Sequence, residues 1–233
     1  ELRDCLKELG VRYAYFLDRE DFAYTESLAV TLEKWGHEET LRRLVRLVRA
    51  LRPEVIVTMN PAPSPGQHGN HQAAGLLATE AFDAAADPDR FPEQLAVEGL
   101  SLWRPRKLYF GGGLAMGATI DVNQPMADGR TPAQVAGQAL ANHRSQGFGG
   151  FANAPWLRRP QSFTLAKGVV PFERNEKDLF RGLPVAGNTP PRLLAEGDAP
   201  PAADFDLRFV PRALMEFYRQ WSTAQQIGHV ATR

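Results

Sequence analysis

The chain has one cysteine, Cys5, in 233 residues. That excludes a disulfide framework and a metal site built on thiolates. It carries no excess charge, with 27 Lys+Arg against 27 Asp+Glu. Long-range attraction to nucleic acid or to an anionic membrane surface is therefore not implied. No run of 18 apolar residues exists, so nothing reads as a transmembrane segment. Histidine is scarce as well, with five copies. Two of them stand three positions apart, in His68-Gly69-Asn70-His71. The length suffices for a sizeable core in one domain, or one domain plus additions.

The hydrophobic pattern gives an order of elements. Residues 2–7 read as the tail of a helix closed by Gly10. Residues 11–17, rich in aromatic and branched side chains, read as a short strand. Leu41, Leu44, Val45, Val48 and Leu51 have the spacing of an amphipathic helix over 37–51, ended by Pro53. Arg42, Arg43, Arg46, Arg49 and Arg52 on that stretch read as a solvated face or as a contact to phosphate or a partner. A strand over 54–58 and a helix over 72–86 follow, then a strand over 107–110 and a short one near Ile120. Thr131-Pro132 is a capped helix start, with the helix running to about Ser145. Gly111-Gly112-Gly113 lacks the spacing and the following lysine of a phosphate loop. Strands alternating with helices predict a three-layer α/β fold with a mostly parallel sheet. Residues 184–203 are dense in Pro, Gly and Ala, and 211–221 read as a closing helix. The expected organisation is one domain over 1–184 and a linker-like segment with a helix over 185–233.

The histidine pair follows an apolar run and a long Gly/Pro loop, residues 60–67, and precedes a helix. In open α/β sheets the carboxyl end of a strand is where sites are built. Each imidazole is a candidate metal ligand, and a metal-bound water is a nucleophile near neutral pH. Two histidines do not complete such a site, which takes three protein ligands and an open position. The alternative is a polar loop whose histidines do no chemistry.

Several segments together resemble the PIG-L/LmbE deacetylase family, in a long bacterial branch. They are residues 52–58, Gln67-His68-Gly69-Asn70-His71-Gln72-Ala73-Ala74, and 79–82. Phe16-Leu17-Asp18 with Asp21-Phe22, Glu33-Lys34-Trp35-Gly36, residues 103–110 and 143–149 agree. The resemblance covers roughly residues 1–184 and implies a Rossmann-like sheet. It also implies a zinc-dependent de-N-acetylase of N-acetylated sugars or glycoconjugates. By resemblance, His71 is a metal ligand. His68 faces the substrate carbonyl, as oxyanion stabiliser or in proton transfer. Asp21 approaches the pocket as an acceptor for sugar hydroxyls, or is an ordinary turn carboxylate. His143 caps a helix or lines the pocket, and Gln72 is a candidate to orient a histidine.

Two departures qualify the resemblance. Asn70 stands where the family usually has aspartate, so it can hold a ring by a hydrogen bond but supplies no charge. The family's opening His-Pro-Asp-Asp motif, with a metal histidine, a metal aspartate and the general base, occurs nowhere in residues 1–233. The expectation is a member lacking its first strand-loop unit, with an active parent and a chain inactive and weak in zinc by itself. The alternative is a noncatalytic carbohydrate-binding or structural member of the same fold.

Overall fold

The computed structural model of the chain describes residues 1–11, 13–112 and 117–183. In chain order these hold α1 (Leu2–Glu8), α2 (Leu28–Trp35), α3 (His37–Leu51), β1 (Val55–Thr58), α4 (Gly69–Ala84) and α5 (Glu93–Ala96). Then come β2 (Lys107–Gly111), β3 (Gly117–Ile120), α6 (Pro132–Leu140), β4 (Gln161–Gly168) and β5 (Asn175–Glu176). The chain gathers into two compact units. Residues 1–18, 111–165 and 172–181 lie in one, and residues 19–110 and 166–171 in the other. No helix among the described residues is long and apolar enough to cross a membrane.

The unit holding residues 19–110 has the α/β character expected. β1 and β2 pair in parallel, Val55 opposite Lys107 and Thr58 opposite Phe110. Parallel neighbours need a long crossover, and α4 lies within it. The helical spacing in α3 buries Leu41, Val45 and Val48 against Leu77, Ala81, Ala84, Ala85 and Phe91. Ala78, Phe82 and Leu108 form a second apolar cluster, with Ile56 and Phe110 packed on it. α3 ends as Pro53 requires: Arg52 takes a left-handed conformation, φ 53°, and its N–H donates to the Val48 carbonyl.

The arginines of α3 divide: Arg42, Arg43 and Arg46 stay partly exposed and pair with carboxylates, and Arg49 is buried. Arg42 and Arg43 both donate to the Glu39 carboxylate, and Arg46 makes a two-point contact with Glu98. Arg52 lies over the Trp103 ring, 4.7 Å from its centroid. Arg49 is buried, 1% exposed. Its guanidinium donates to the carbonyls of Ala84, Ala85, Asp87, Arg90 and Phe91 and to Gln94 Oε1. It thus satisfies the last carbonyls of α4, which have no partner within the helix, and the turn that follows.

In the other unit, β3 pairs antiparallel with β4, Gly117 opposite Thr164, and parallel with β5. α6 opens as its sequence predicts. The Thr131 hydroxyl accepts from the Gln134 N–H, the Gln134 side chain accepts from the Thr131 N–H, and Pro132 is the first helical residue. The helix stops at Leu140, short of Ser145. Asn142 donates its side-chain amide back to the Gln138 carbonyl, and His143 leaves the helical region at ψ 63°. A short 3-10 turn over Arg144–Gln146 takes over and ends at Gly147, φ 72°.

Two expectations differ. Residues 13–18 take no regular secondary structure. Aromatic and branched composition suits a pleated surface but does not by itself make a strand. β3 covers Gly117–Ile120, so the expected strand near Ile120 lies earlier than Val122. The segments 184–203 and 211–221 lie outside the described residues.

Candidate active site

His68 is the N-cap of α4. Its Nδ1 accepts the Asn70 N–H at 3.0 Å. Serine, threonine, asparagine and aspartate usually do this work; here an imidazole does. The cap has a chemical consequence. A ring nitrogen that accepts an N–H carries a lone pair, so the neutral ring holds its proton on Nε2. Nε2 makes no hydrogen bond among the described residues and is left as a donor for a ligand. His71 follows on the same helix, exposed, with ring centroids 6.2 Å apart.

Small residues let α4 sit where it does. A Cβ on Gly69 would stand 2.4 Å from the Ser27 carbonyl oxygen and 2.6 Å from Thr31 Oγ1. A Cβ on Gly75 would stand 2.3 Å from the Met59 carbonyl oxygen and 2.8 Å from the Pro61 nitrogen. So α2 presses on the start of α4, and the loop leaving β1 presses on its second turn. The Gly69 N–H donates to the Thr25 carbonyl at 2.7 Å.

The predicted neighbours take different work. The Asn70 side chain turns to α2 and accepts from the Thr31 hydroxyl at 3.2 Å. It is the Asn70 backbone that holds the His68 ring. Gln72 is buried, and its amide donates to the carbonyls of Glu26 (2.7 Å) and Gln67 (3.2 Å). The Gln67 amide in turn donates to the Asn60 carbonyl at 2.6 Å. Asp21 is exposed and accepts the Phe22 N–H at 3.0 Å. His143 belongs to the other unit, where its ring lies edge-on to Phe148. His37 joins α3 to α4 through Glu80 at 2.6 Å.

Three residues were missed in the sequence. Tyr24 lies edge-on to His68, centroids 5.0 Å apart, and Phe22 stands 6.3 Å from the same ring. The Tyr24 hydroxyl donates to Glu26 Oε1 at 2.9 Å, and the same oxygen accepts the Gly66 N–H at 3.2 Å. That hydrogen bond to Glu26 pushes the phenol above its ordinary range. The only signal was an aromatic-rich stretch, 22–24, with no periodicity to mark it.

The described residues do not make up a zinc site. The lone pair of His68 Nδ1 is committed to the helix cap, and its Nε2 carries the proton. No group of three or more His, Cys, Asp or Glu comes together among the described residues. A catalytic zinc takes three protein ligands, and the resemblance implies His71 as one of them.

The family model described as GlcNAc-PI de-N-acetylase, PIG-L, matches residues 1–82. That match spans 82 of the 233 residues. The matched segment contains Asp21, Tyr24, His68, Asn70, His71 and Gln72, whereas His143 lies beyond it. A 1D-myo-inositol 2-acetamido-2-deoxy-alpha-D-glucopyranoside deacetylase of Streptomyces griseus is 28% identical over 227 residues. The match covers 80% of this chain and 70% of the relative. The corresponding deacetylase 1 of Catenulispora acidiphila is 26% identical over 190 residues, 65% of this chain and 57% of the relative. The chain thus spans somewhat more than half the length of the second relative.

Proposed function

We propose that this protein is a de-N-acetylase of an N-acetylated amino sugar, with His68 as the donor that meets the acetamide oxygen. The observation that carries this reading is the helix cap, which fixes the His68 proton on Nε2. Hydrolysis adds water to the acetamide carbon, breaks the C–N bond and releases acetate and a free amine. Negative charge grows on the carbonyl oxygen as water adds. A preorganised N–H at hydrogen-bond distance is worth most at that moment. The capped ring has no lone pair free to take the proton of water, so His68 is the donor and not the base. Asp21 is an exposed acceptor for sugar hydroxyls on the same segment. The deacetylase names of the two relatives support this substrate class.

The zinc implied by the resemblance needs ligands beyond His71 that the described residues do not assemble. By itself the 233-residue chain is therefore expected to hold zinc weakly and to turn over slowly. That same observation favours a second reading, a carbohydrate-binding protein without catalysis. Acetate release is measured over a panel of N-acetylated amino sugars, with and without added zinc and chelator, beside sugar binding by NMR. Release that His68→Ala suppresses supports the deacetylase. Binding with no release under any condition supports the second reading, and neither binding nor release refutes both.

A further inference from the structure

We infer that Tyr24 is the platform on which the sugar ring of the substrate lies, and that Glu26 holds it in place. The inference rests on the proposed action upon amino sugars, and it assigns the residue that binds the ring rather than the acetamide. Tyr24 is 61% exposed, an unusual state for an aromatic ring that is also fixed. It is fixed on two sides. Its hydroxyl donates to Glu26 Oε1 at 2.9 Å, and its ring packs edge-on to His68 at 5.0 Å.

The anchor belongs to the histidine loop. Glu26 Oε1 also accepts the Gly66 N–H, and the Glu26 carbonyl accepts from the buried Gln72 amide. Tyr24 and His68 are thereby tied into one local framework. Phe22 extends the apolar surface near His68, and Lys34 stands over the Phe22 ring at 5.2 Å.

The chemistry of the ligand fits this surface. A pyranose presents axial C–H bonds on one face and hydroxyls around its rim. An aromatic face takes the first, and the Glu26 carboxylate beside the ring accepts from the second. An aromatic with few rotatable bonds loses little entropy when a ligand covers it. Few, fixed polar groups around an apolar floor are the usual form of a small-molecule site.

The test uses the whole chain and two probes, N-acetylglucosamine and glucosamine. Titration is followed by the NMR shifts of the sugar ring protons, which an aromatic face moves upfield. Tyr24→Ala is expected to weaken binding of both probes at least tenfold and to abolish the upfield shifts. Tyr24→Phe keeps the ring but loses the Glu26 anchor, and is expected to bind more weakly than the parent by about threefold and more tightly than Tyr24→Ala; binding equal to the parent would refute the part given to Glu26. Unchanged melting temperatures in both variants confirm that the fold is intact. If Tyr24→Ala binds both sugars as the parent does, the platform is refuted, whatever the acetate assay gives. If the upfield shifts vanish in Tyr24→Ala while no variant releases acetate, the platform stands and the deacetylase reading falls. A parent that binds neither sugar overturns the platform outright.

Discussion

Replacing Arg49 by methionine is expected to destabilise the protein by about 3–5 kcal/mol. The side chain is 1% exposed, so methionine keeps the volume and removes the donors. Six acceptors lose a donor, five of them backbone carbonyls between Ala84 and Phe91, four of which keep a backbone N–H partner. Hydrogen bonds from a charged donor are worth about 1.5–3 kcal/mol each, so the gross loss is roughly 9–18 kcal/mol. Against it stands the cost of burying a guanidinium, several kcal/mol. That cost is visible in the protein: burial pulls the Arg49 pKa below its ordinary value. Water entering the opened turn recovers part of the remainder, which leaves the net figure. Arg49→Lys keeps the buried charge but offers three donors, so it is expected to lose about as much as methionine. Urea unfolding, followed by tryptophan fluorescence and circular dichroism together, reads the difference. With a slope on the order of 2 kcal/mol/M, the midpoint falls by roughly 2 M. A loss under about 1 kcal/mol for Arg49→Met, at unchanged slope, would refute the role given to this arginine.

Gly69→Ala drives a methyl into the Ser27 carbonyl and is expected to cost about 1–3 kcal/mol, read as a lower melting temperature. His68→Ala removes the cap and is expected to cost about 1 kcal/mol, whereas His68→Asn caps again and recovers most of it. Neither variant should release acetate, and equal stability of the alanine variant and the parent would contradict the cap. Arg42 and Arg43 hold the Glu39 carboxyl down at about 2. This depressed value stabilises the fold above the ordinary 4.5, and the contribution is lost as pH falls from there through about 2. Glu39→Gln should flatten that part of the acid limb by less than about 1 kcal/mol, since the pair is partly solvated. Zinc calorimetry on the chain should show no stoichiometric site tighter than about micromolar, roughly 8 kcal/mol. Tight binding abolished by His71→Ala would reveal an unassigned ligand.

The readable parts of this chain were those with local rules. The α3 stripe, the Thr131-Pro132 start and the parallel pairing around α4 follow from spacing and capping, and all three form. Of the strand expected over 11–17, residues 13–17 take no regular secondary structure, because aromatic and branched composition favours a pleat without dictating one. α2 and β4 escaped notice for related reasons. α2 is eight residues long, and β4 places Phe163 and Leu165 among small and polar residues. The arginine run misled at Arg49 because a burial decision depends on what lies opposite, here the end of α4. The histidine pair was legible as a pair, but its division was not. That His68 spends Nδ1 on the helix appears only when the ring and the Asn70 N–H are both in place. Tyr24 carried no motif at all; its standing comes from Glu26, two residues on.

The loop leaving β1 is buckled at both ends. Gly75 seats Met59 and Pro61 at one end, and the Gln72–Gln67–Asn60 chain of amides closes the other. The strap between the clasps, residues 62–65, is exposed. For a closed loop, doubling the length costs only about 0.6 kcal/mol. Residues 62–65 are accordingly a grafting position, where a peptide tag or a longer recognition arm can be spliced in while the histidines keep their seats. The clasp residues tolerate no such editing, because a single methyl at Gly75 already unseats one end.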